Sequence, residues 1–310
     1  MLLRTVRIDF NDCAIANDGF AAVNINVRGT QLEGGELSGY VEANQIGSAV
    51  FMGTFMSKRS LFTGGRMPGM IPFVFMASGD SYYQGGPSYG RELCGYKEDC
   101  DETHVAWQGE MCCTYLPREQ FKAHLIQCGA HNALERFAST HSTMLCAAGT
   151  QLMERQFRQG LAGELKSDSQ VYSLMTTLLE QAEIPRPNEE GCKNEPMLRE
   201  FVQLAHENAA GEPLALAEVA QMLHVGKSTL RRACTDAYGM SVVGLMRRVR
   251  LEQCRLAFVK PGKATTVESV RRKYRFTNKG RFARLYQEAF GELPSETYMR
   301  GQGQLKLKGI

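Results

Sequence analysis

Hydrophobic positions in roughly the first 120 residues predict short β-strands separated by glycine-rich turns. Residues 23–27 alternate apolar and polar side chains, a period of two that is typical of a half-buried strand. Apolar runs at residues 50–55 and 73–76 indicate further strands, and glycine turns lie between these segments. Many short strands with frequent turns predict a β-sandwich or a β-barrel.

After Pro117 the apolar spacing becomes helical, with steps of three and four residues. One helix face is predicted from Leu134, Phe137, His141, Leu145, Ala148 and Leu152. A second helix is expected over residues 171–179. The proline- and charge-rich stretch 183–195 is typical of a linker. We therefore expect one domain over residues 1–182, β-rich to about residue 120 and helical after it, and another over residues 196–310.

A first helix-turn-helix unit is predicted over residues 216–238. Two short helices that cross steeply need a small residue where they meet, and Ala220 supplies it. The turn at residues 224–226 contains a glycine, and Leu230 in the second helix faces inward. The exposed face of that second helix, the recognition helix, is then free to enter the major groove of DNA.

A second unit is predicted over residues 266–290, with Thr266 as the N-cap of its first helix and a recognition helix that begins near Asn278. Residues 241–259 between the units have helical spacing and are expected to form one long helix. Two recognition helices held about 34 Å apart by such a helix would meet successive major grooves.

Charge is distributed unevenly between the predicted domains. Residues 195–310 hold 20 Lys/Arg and 11 Asp/Glu, a net +9, whereas residues 1–194 hold 16 and 22, a net −6. A basic domain is typical of nucleic-acid binding, because each neutralised phosphate releases counterions. No apolar stretch is long enough to span a membrane and no signal-peptide core is evident, so a cytoplasmic location without membrane contact is expected.

The ten cysteines contain no C-x-x-C pair, so no zinc site is predicted, and the thiols are expected to be reduced. We expect no enzyme activity, no catalytic residue and no cofactor. His104 with Cys112 and Cys113 is the only candidate set for an enzymatic front domain, in which DNA binding would localise the enzyme. The loose cluster of Cys94, Cys100, Cys112 and Cys113 is interpreted as buried, inert thiols, with a redox or metal sensor as the alternative. Tyr82, Tyr83 and Tyr89 are interpreted as residues of a surface loop, with the mouth of a ligand site as the alternative.

Three stretches of the back domain resemble the AraC/XylS family of bacterial transcription regulators. They are LALAEVAQMLHVGKSTLRRACTDAYGMS (214–241), MRRVRLEQCRLAF (246–258) and RFTNKGRFARLYQEAFGELPSE (275–296). The resemblance covers about a third of the chain. It implies an α+β protein, with an N-terminal cupin-like β-barrel and dimerisation helices followed by an all-α domain of two helix-turn-helix units joined by a long helix. Implied partners are double-stranded DNA, RNA polymerase, a small-molecule effector and a second copy of the chain.

The second unit departs from the family pattern at two positions. Arg271 occupies the usual place of a small residue, and Arg275 the usual place of a turn glycine. Arg271 must therefore direct its charge outward, or the helix crossing must widen. We expect the first unit to read bases more closely than the second.

By resemblance, one set of residues is predicted to face DNA through the two recognition helices: Lys227, Ser228, Arg231, Arg232, Asn278, Lys279, Arg281 and Arg284. A second set is predicted to contact phosphates: Arg247, Arg248, Arg271, Arg272 and Lys273. The sequence thus predicts a sequence-specific transcription regulator, with activation favoured over repression. Two alternatives to this regulator stay open. One is an enzyme or a metal or redox sensor that uses the DNA-binding domain for localisation, and the other is an anti-activator that pairs with another protein through the helices at 130–182.

Overall fold

The computed structural model describes residues 5–83, 86–88, 90–96, 102–139, 142–182 and 189–307. Its strands are β1 (Val6–Phe10), β2 (Val27–Gln31), β3 (Gly39–Ile46), β4 (Ala49–Gly65), β5 (Met70–Met76), β6 (Asp80–Tyr83), β7 (Gly86–Ser88), β8 (Glu92–Cys94), β9 (Glu102–Pro117) and β10 (Ser142–Met144). Its helices are α1 (Cys13–Ala22), α2 (Arg118–Gln127), α3 (His131–Ser139), α4 (Ala147–Leu161), α5 (Ser169–Gln181), α6 (Glu189–Glu207), α7 (Leu216–Met222), α8 (Lys227–Tyr238), α9 (Val242–Val259), α10 (Val267–Lys273), α11 (Lys279–Phe290) and α12 (Pro294–Leu307).

The front domain contains an antiparallel sheet whose main path is β1-β3-β4-β9-β5-β8-β10. The long strand β4 pairs with β3 up to Met56 and with β2 from Ser60, and its register with β9 shifts between these residues. Such a shift bends a strand, which lets the two halves of β4 belong to differently directed parts of the sheet. Among the described strands β1 and β10 do not pair with each other, so the expected β-structure is present but the barrel is not closed.

Helix α1 is a feature that the strand-rich interpretation of the first 120 residues missed. Asp12 caps it by accepting a hydrogen bond from the N–H of Ile15 at 2.8 Å. Ala16 and Phe20 are buried on one face of the helix, in the core between the helix and the sheet. The strand predicted at residues 23–27 is wrong, because β2 begins only at Val27. Residues 23–26 connect α1 to β2, and every second side chain among them is buried. This produces the same alternation as a strand.

Helices α2 to α5 cover one side of the sheet around a second apolar core. The single helix face predicted over residues 134–152 is wrong, since α3 ends at Ser139 and β10 separates it from α4. Strand β10 exists because it pairs with β8, a long-range contact that local spacing does not record. His141 lies outside the described residues. The second predicted helix is confirmed as α5, which buries five apolar residues of the segment 171–179.

The back domain is all helical, and α6 begins at Glu189, inside the stretch predicted as a linker. Residues 183–188 of that stretch lie outside the described residues. Two apolar cores follow along α9, one with α6, α7 and α8, and one with α10, α11 and α12. Leu245 and Val249 belong to the first core, and Cys254 and Phe258 belong to the second. The predicted arrangement of two helical units joined by one long helix is therefore present.

Candidate nucleic-acid interface

The first unit consists of α7, a four-residue turn and α8. Ala220 is 2% exposed, and the inward-facing Val219 and Leu230 are fully buried in the same core. His224 in the turn has a φ of 53°, the left-handed conformation that reverses the chain within one residue. Burial of these apolar residues leaves the opposite side of α8 in solvent.

The solvent side of α8 carries the residues that the sequence predicted for DNA contact. Lys227, Ser228, Arg231 and Arg232 are all exposed. None of the three cations among them forms an ion pair with another described residue. Their charges are thus available to phosphates or to guanine edges.

The second unit has helices of the same lengths, α10 with 7 residues and α11 with 12, matching α7 and α8. The expected N-cap at Thr266 is confirmed, because its hydroxyl accepts from the N–H of Ser269 at 3.0 Å. Asn278 caps α11 by accepting from the N–H of Arg281 at 2.8 Å. The turn between these helices spans residues 274–278, one residue more than the turn at 223–226 in the first unit.

Arg271 occupies this longer turn. Its guanidinium donates hydrogen bonds to the carbonyl oxygens of Phe276 and Thr277, and it pairs with Glu268 at 2.8 Å. The side chain is only 10% exposed, so it does not extend into solvent, and its guanidinium is bound within the unit. Arg275 has a φ of 60°, the conformation for which a glycine is usual at this position. The large side chain of Arg271 thus stabilises a turn that differs from the first one in length.

The remaining predicted residues of the second unit lie on its surface. Exposed side chains include Arg272, Lys273, Asn278, Lys279, Arg281 and Arg284. Two of them have acidic neighbours on their own helix, since Arg272 lies 2.5 Å from Glu268 and Arg284 lies 3.7 Å from Glu288. Exposed pairs of this kind are weak and break readily when a phosphate competes.

Helix α9 carries the two other predicted phosphate contacts, in different surroundings. Arg247 is exposed, whereas Arg248 is partly buried and donates a hydrogen bond to the carbonyl of Ala289 at 3.0 Å. Burial lowers the pKa of Arg248 from its ordinary value. The structure therefore places Arg247 at the surface and uses Arg248 to join α9 to the end of α11.

The front domain contacts both units through residues that sequence reasoning did not assign to this role. Near the first unit, the buried Nε2 of His104 lies 2.6 Å from the hydroxyl of Tyr238 at the end of α8. Near the second, the side chain of Gln31 donates to the carbonyl of Ala289 at 3.2 Å, at the end of α11. No local motif marks such residues, since the contact joins positions 134 and 258 residues apart in sequence.

A buried group of charges lies where the front domain meets α9. Arg255 is 3% exposed, and its guanidinium lies 2.9 Å from Glu292 and 4.0 Å from Asp12. Glu252 accepts a hydrogen bond from the N–H of Gln31 at 3.2 Å. Burial raises the pKa of Glu252 to about 7, against the opposing effect of Arg255, and Asp12 raises it further. The junction beside the second unit is thus ionisable near neutral pH.

The residues considered for catalysis or sensing are not arranged for it. His104 bonds to Tyr238, and burial lowers its pKa to about 3. Burial raises the pKa of Cys113 to about 12 and also raises that of Cys112, so both thiols remain protonated and poorly nucleophilic. Tyr82 and Tyr83 are buried rather than in a surface loop, because β6 pairs with β9. Cys100 and Tyr89 lie outside the described residues.

The described part of the chain contains neither a metal-binding cluster nor a membrane-spanning helix. No group of three or more His, Cys, Asp or Glu side chains is placed to hold a metal ion there. Within those same residues, no helix combines the length and the apolar character that crossing a membrane requires.

A family model described as a helix-turn-helix domain matches residues 219–300, which run from α7 through both recognition helices into α12. The chain is accordingly a DNA-binding transcription regulator. Its helix-turn-helix domain is of the AraC type, as the resemblance carried by the motifs of α8, α9 and α11 predicted.

Several solved structures are similar to this chain. A probable AraC family regulator from Rhodopseudomonas palustris CGA009 is 26% identical, with a TM-score of 0.32, over 34% of this chain and 97% of that one. The AraC-like transcriptional activator CuxR is 12% identical over 80% of this chain and 94% of its own, with a TM-score of 0.42. ToxT from Vibrio cholerae is 7% identical over 96% and 98% of the two chains, with a TM-score of 0.32.

Proposed function

We propose that this chain is a sequence-specific transcription activator that contacts two successive major grooves with α8 and α11. The observation that supports this most is the pairing of two units with equal helix lengths on one continuous helix, α9, of 18 residues. At about 1.5 Å per residue, α9 spans about 27 Å, which suits recognition helices one turn of DNA apart.

The two sets of exposed residues have different roles in this proposal. Lys227, Ser228, Arg231 and Arg232 on α8, with Asn278, Lys279, Arg281 and Arg284 on α11, face base edges and flanking phosphates. Arg247, Arg272 and Lys273 neutralise phosphates. Arg271 and Arg248 act as positioning residues, because their guanidinium groups already bind carbonyl oxygens within the domain.

The front domain supplies regulation in this proposal. A cavity of about 630 Å³ opens beside the sheet, with Asn24, Asn26, Gln45 and Ser48 among its polar lining residues and Met67 among its apolar ones. Volume and lining suit a small-molecule effector. Homodimer formation through α2–α5, contact with RNA polymerase and a cytoplasmic location complete the proposal.

The test is duplex affinity as a function of salt. Target sites are first obtained by genome-wide footprinting, and dissociation constants are then measured by fluorescence anisotropy at several salt concentrations. We expect a steep fall of affinity with salt and a loss of about tenfold or more for Arg231→Ala on the best site. Arg91→Ala, which removes an exposed arginine of the front domain outside α2–α5, is the matched control. Equal binding by Arg231→Ala, Arg284→Ala and the control would refute the assigned recognition helices.

A further inference from the structure

A cleft of about 290 Å³ lies between α9 and the second unit. One wall is a single face of α9, with Val243, Met246, Arg247 and Arg250 at steps of three and four residues. The opposite wall comes from the turn after α10 and from α11, and the loop before α7 closes one end. The size is near the lower end of small-molecule sites, which are about 300 to 1,000 Å³.

The interior of the cleft is apolar and partly aromatic. Phe276 and Phe282 pack with ring centroids 4.9 Å apart, and Leu285 extends the same wall. Val243 on the facing wall is 40% exposed, one of four large apolar side chains that are exposed among the described residues. Apolar area facing a concave site loses water when a ligand enters, and this favours a ligand with an apolar body.

Four guanidinium groups also line the cleft, and no carboxylate does: Arg247, Arg250, Arg275 and Arg281. In the described residues no acidic group lies within ion-pair distance of Arg247 or Arg281, and Arg275 has only the exposed Glu212 at 3.4 Å. Arg250 is 7% exposed, donates to the carbonyl of Gly211 at 3.2 Å, and has a buried Nε without a described acceptor. Burying a cation without an anion is unfavourable, so the site is incomplete electrostatically.

We propose that this cleft binds an amphiphilic carboxylate, an anion joined to an aromatic or alkyl body, and that its occupancy opposes DNA binding by the second unit. Arginine binds carboxylates through two parallel hydrogen bonds, and the partly exposed Phe276 and Leu285, backed by the buried Phe282, take the apolar body. A DNA phosphate would satisfy the arginines but would leave this wall without an apolar partner. Asn278 and Arg281 line the cleft and begin the second recognition helix, so the effect on DNA rests on the proposed function.

The probe for the test is 4-phenylbutyrate, and the full chain is titrated by isothermal calorimetry without DNA. We expect saturable binding to one site with a dissociation constant at or below about 1 mM. The neutral analogue 4-phenyl-1-butanol should bind at least about tenfold more weakly, because it lacks the charge that the arginines bind. Val243→Asp should weaken 4-phenylbutyrate by at least about tenfold, since the new carboxylate pairs with the arginines and repels the ligand.

Met299→Asp is the matched control, as it places the same charge on an exposed apolar position of α12 that does not line the cleft. Arg247→Gln, at an exposed site, is the second variant and should also weaken 4-phenylbutyrate. Absence of binding, equal binding of the alcohol, or unchanged binding by both cleft variants would overturn the proposal. If Val243→Asp loses duplex binding and the unchanged chain does not bind 4-phenylbutyrate, the cleft is a contact site for the DNA backbone instead.

Competition with DNA is measured separately, so that the two proposals fail independently. Duplex affinity is measured with saturating 4-phenylbutyrate and with sodium acetate at the same ionic strength. Affinity should fall only with 4-phenylbutyrate, and by linkage the duplex should weaken 4-phenylbutyrate by the same factor. No duplex binding even without ligand would refute the proposed function and leave carboxylate binding standing on its calorimetry. Unchanged duplex affinity would overturn the proposed competition.

Discussion

The two helix-turn-helix units have helices of equal length but differ in the residue and the turn that allow these helices to cross. The first places Ala220 at the crossing and closes its turn with four residues, whereas the second places Arg271 there and has a turn of five. The arginine was expected to turn outward or to widen the crossing. Instead it fills the longer turn and binds its carbonyl oxygens. The comparison shows that a residue that violates a local pattern can fit when a neighbouring length changes with it.

The largest effect is expected from exchanging the residues at the crossing. Ala220→Arg puts a cation into a fully packed site with a shorter turn, and Ala217 stands where the second unit has Glu268. A buried, unpaired charge should lower the free energy of unfolding by about 3–5 kcal/mol in urea denaturation. Arg271→Ala should instead leave the core intact and weaken DNA binding through the second unit. If Ala220→Arg is tolerated without loss, the turn length does not govern what the crossing accepts.

The two junctions with the front domain should respond to pH in opposite directions. Glu252, beside the second unit, keeps its proton in the folded state to about pH 7, against 4.5 for the ordinary group. Raising the pH from about 4.5 through 7 therefore lowers stability, by on the order of 3 kcal/mol. Glu252→Gln should abolish this fall, measured as the difference from wild type in urea unfolding across that pH range. A constant difference at all pH values would contradict a buried, titrating Glu252.

His104, beside the first unit, should change the stability with pH in the opposite direction. Its folded pKa of about 3 lies below the ordinary 6.5, so stability is present above about pH 6.5 and falls as the pH drops. His104→Phe should remove this acid-dependent loss, although it also removes the contact with Tyr238. The pH dependence, rather than the loss at neutral pH, is the informative measurement. An unchanged acid limb in His104→Phe would mean that other groups, His206 among them, account for it.

Base recognition should differ between the units by a smaller amount. Arg231→Ala in α8 should cost about 1–3 kcal/mol of discrimination on the best site, since it removes a side chain suited to guanine. Arg284→Ala in α11 should cost less and mainly reduce the salt dependence, because it behaves as a phosphate contact. Anisotropy on matched and single-mismatch duplexes separates the two effects. Equal loss of discrimination in both variants would remove the expected dominance of the first unit.

The smallest effect is expected at the start of the recognition helices. Asn278→Ala removes the side-chain cap of α11 and should cost about 1 kcal/mol in unfolding free energy. Gly226→Ala at the start of α8, where no side-chain cap exists and φ is −70°, should change stability by only a few tenths. Similar losses of unfolding free energy at both positions would show that the N-termini of α8 and α11 are equally stabilised by their N-cap residues.

Sequence alone determined the features that depend on short spacing. The helical periods of α8, α9 and α11, the cap at Thr266 and the basic charge of the back domain lie within a few residues of each other, so local pattern records them. The exposure of the cations on both recognition helices could be predicted, because the apolar spacing shows which positions must face inward. Helix α1 was available in principle, because Asp12 is a typical N-cap, but the strand-like alternation after it dominated the interpretation.

Only the tertiary structure decided the features that join distant residues. Strand β10 exists through its pairing with β8, β4 changes its partner from β3 to β2 at a register shift, and His104 meets Tyr238 across 134 residues. The role of Arg271 likewise depended on where two carbonyl oxygens of the turn lie in space. Burial and partner choice set whether an arginine binds DNA or its own backbone, and both depend on packing among segments that sequence order keeps apart.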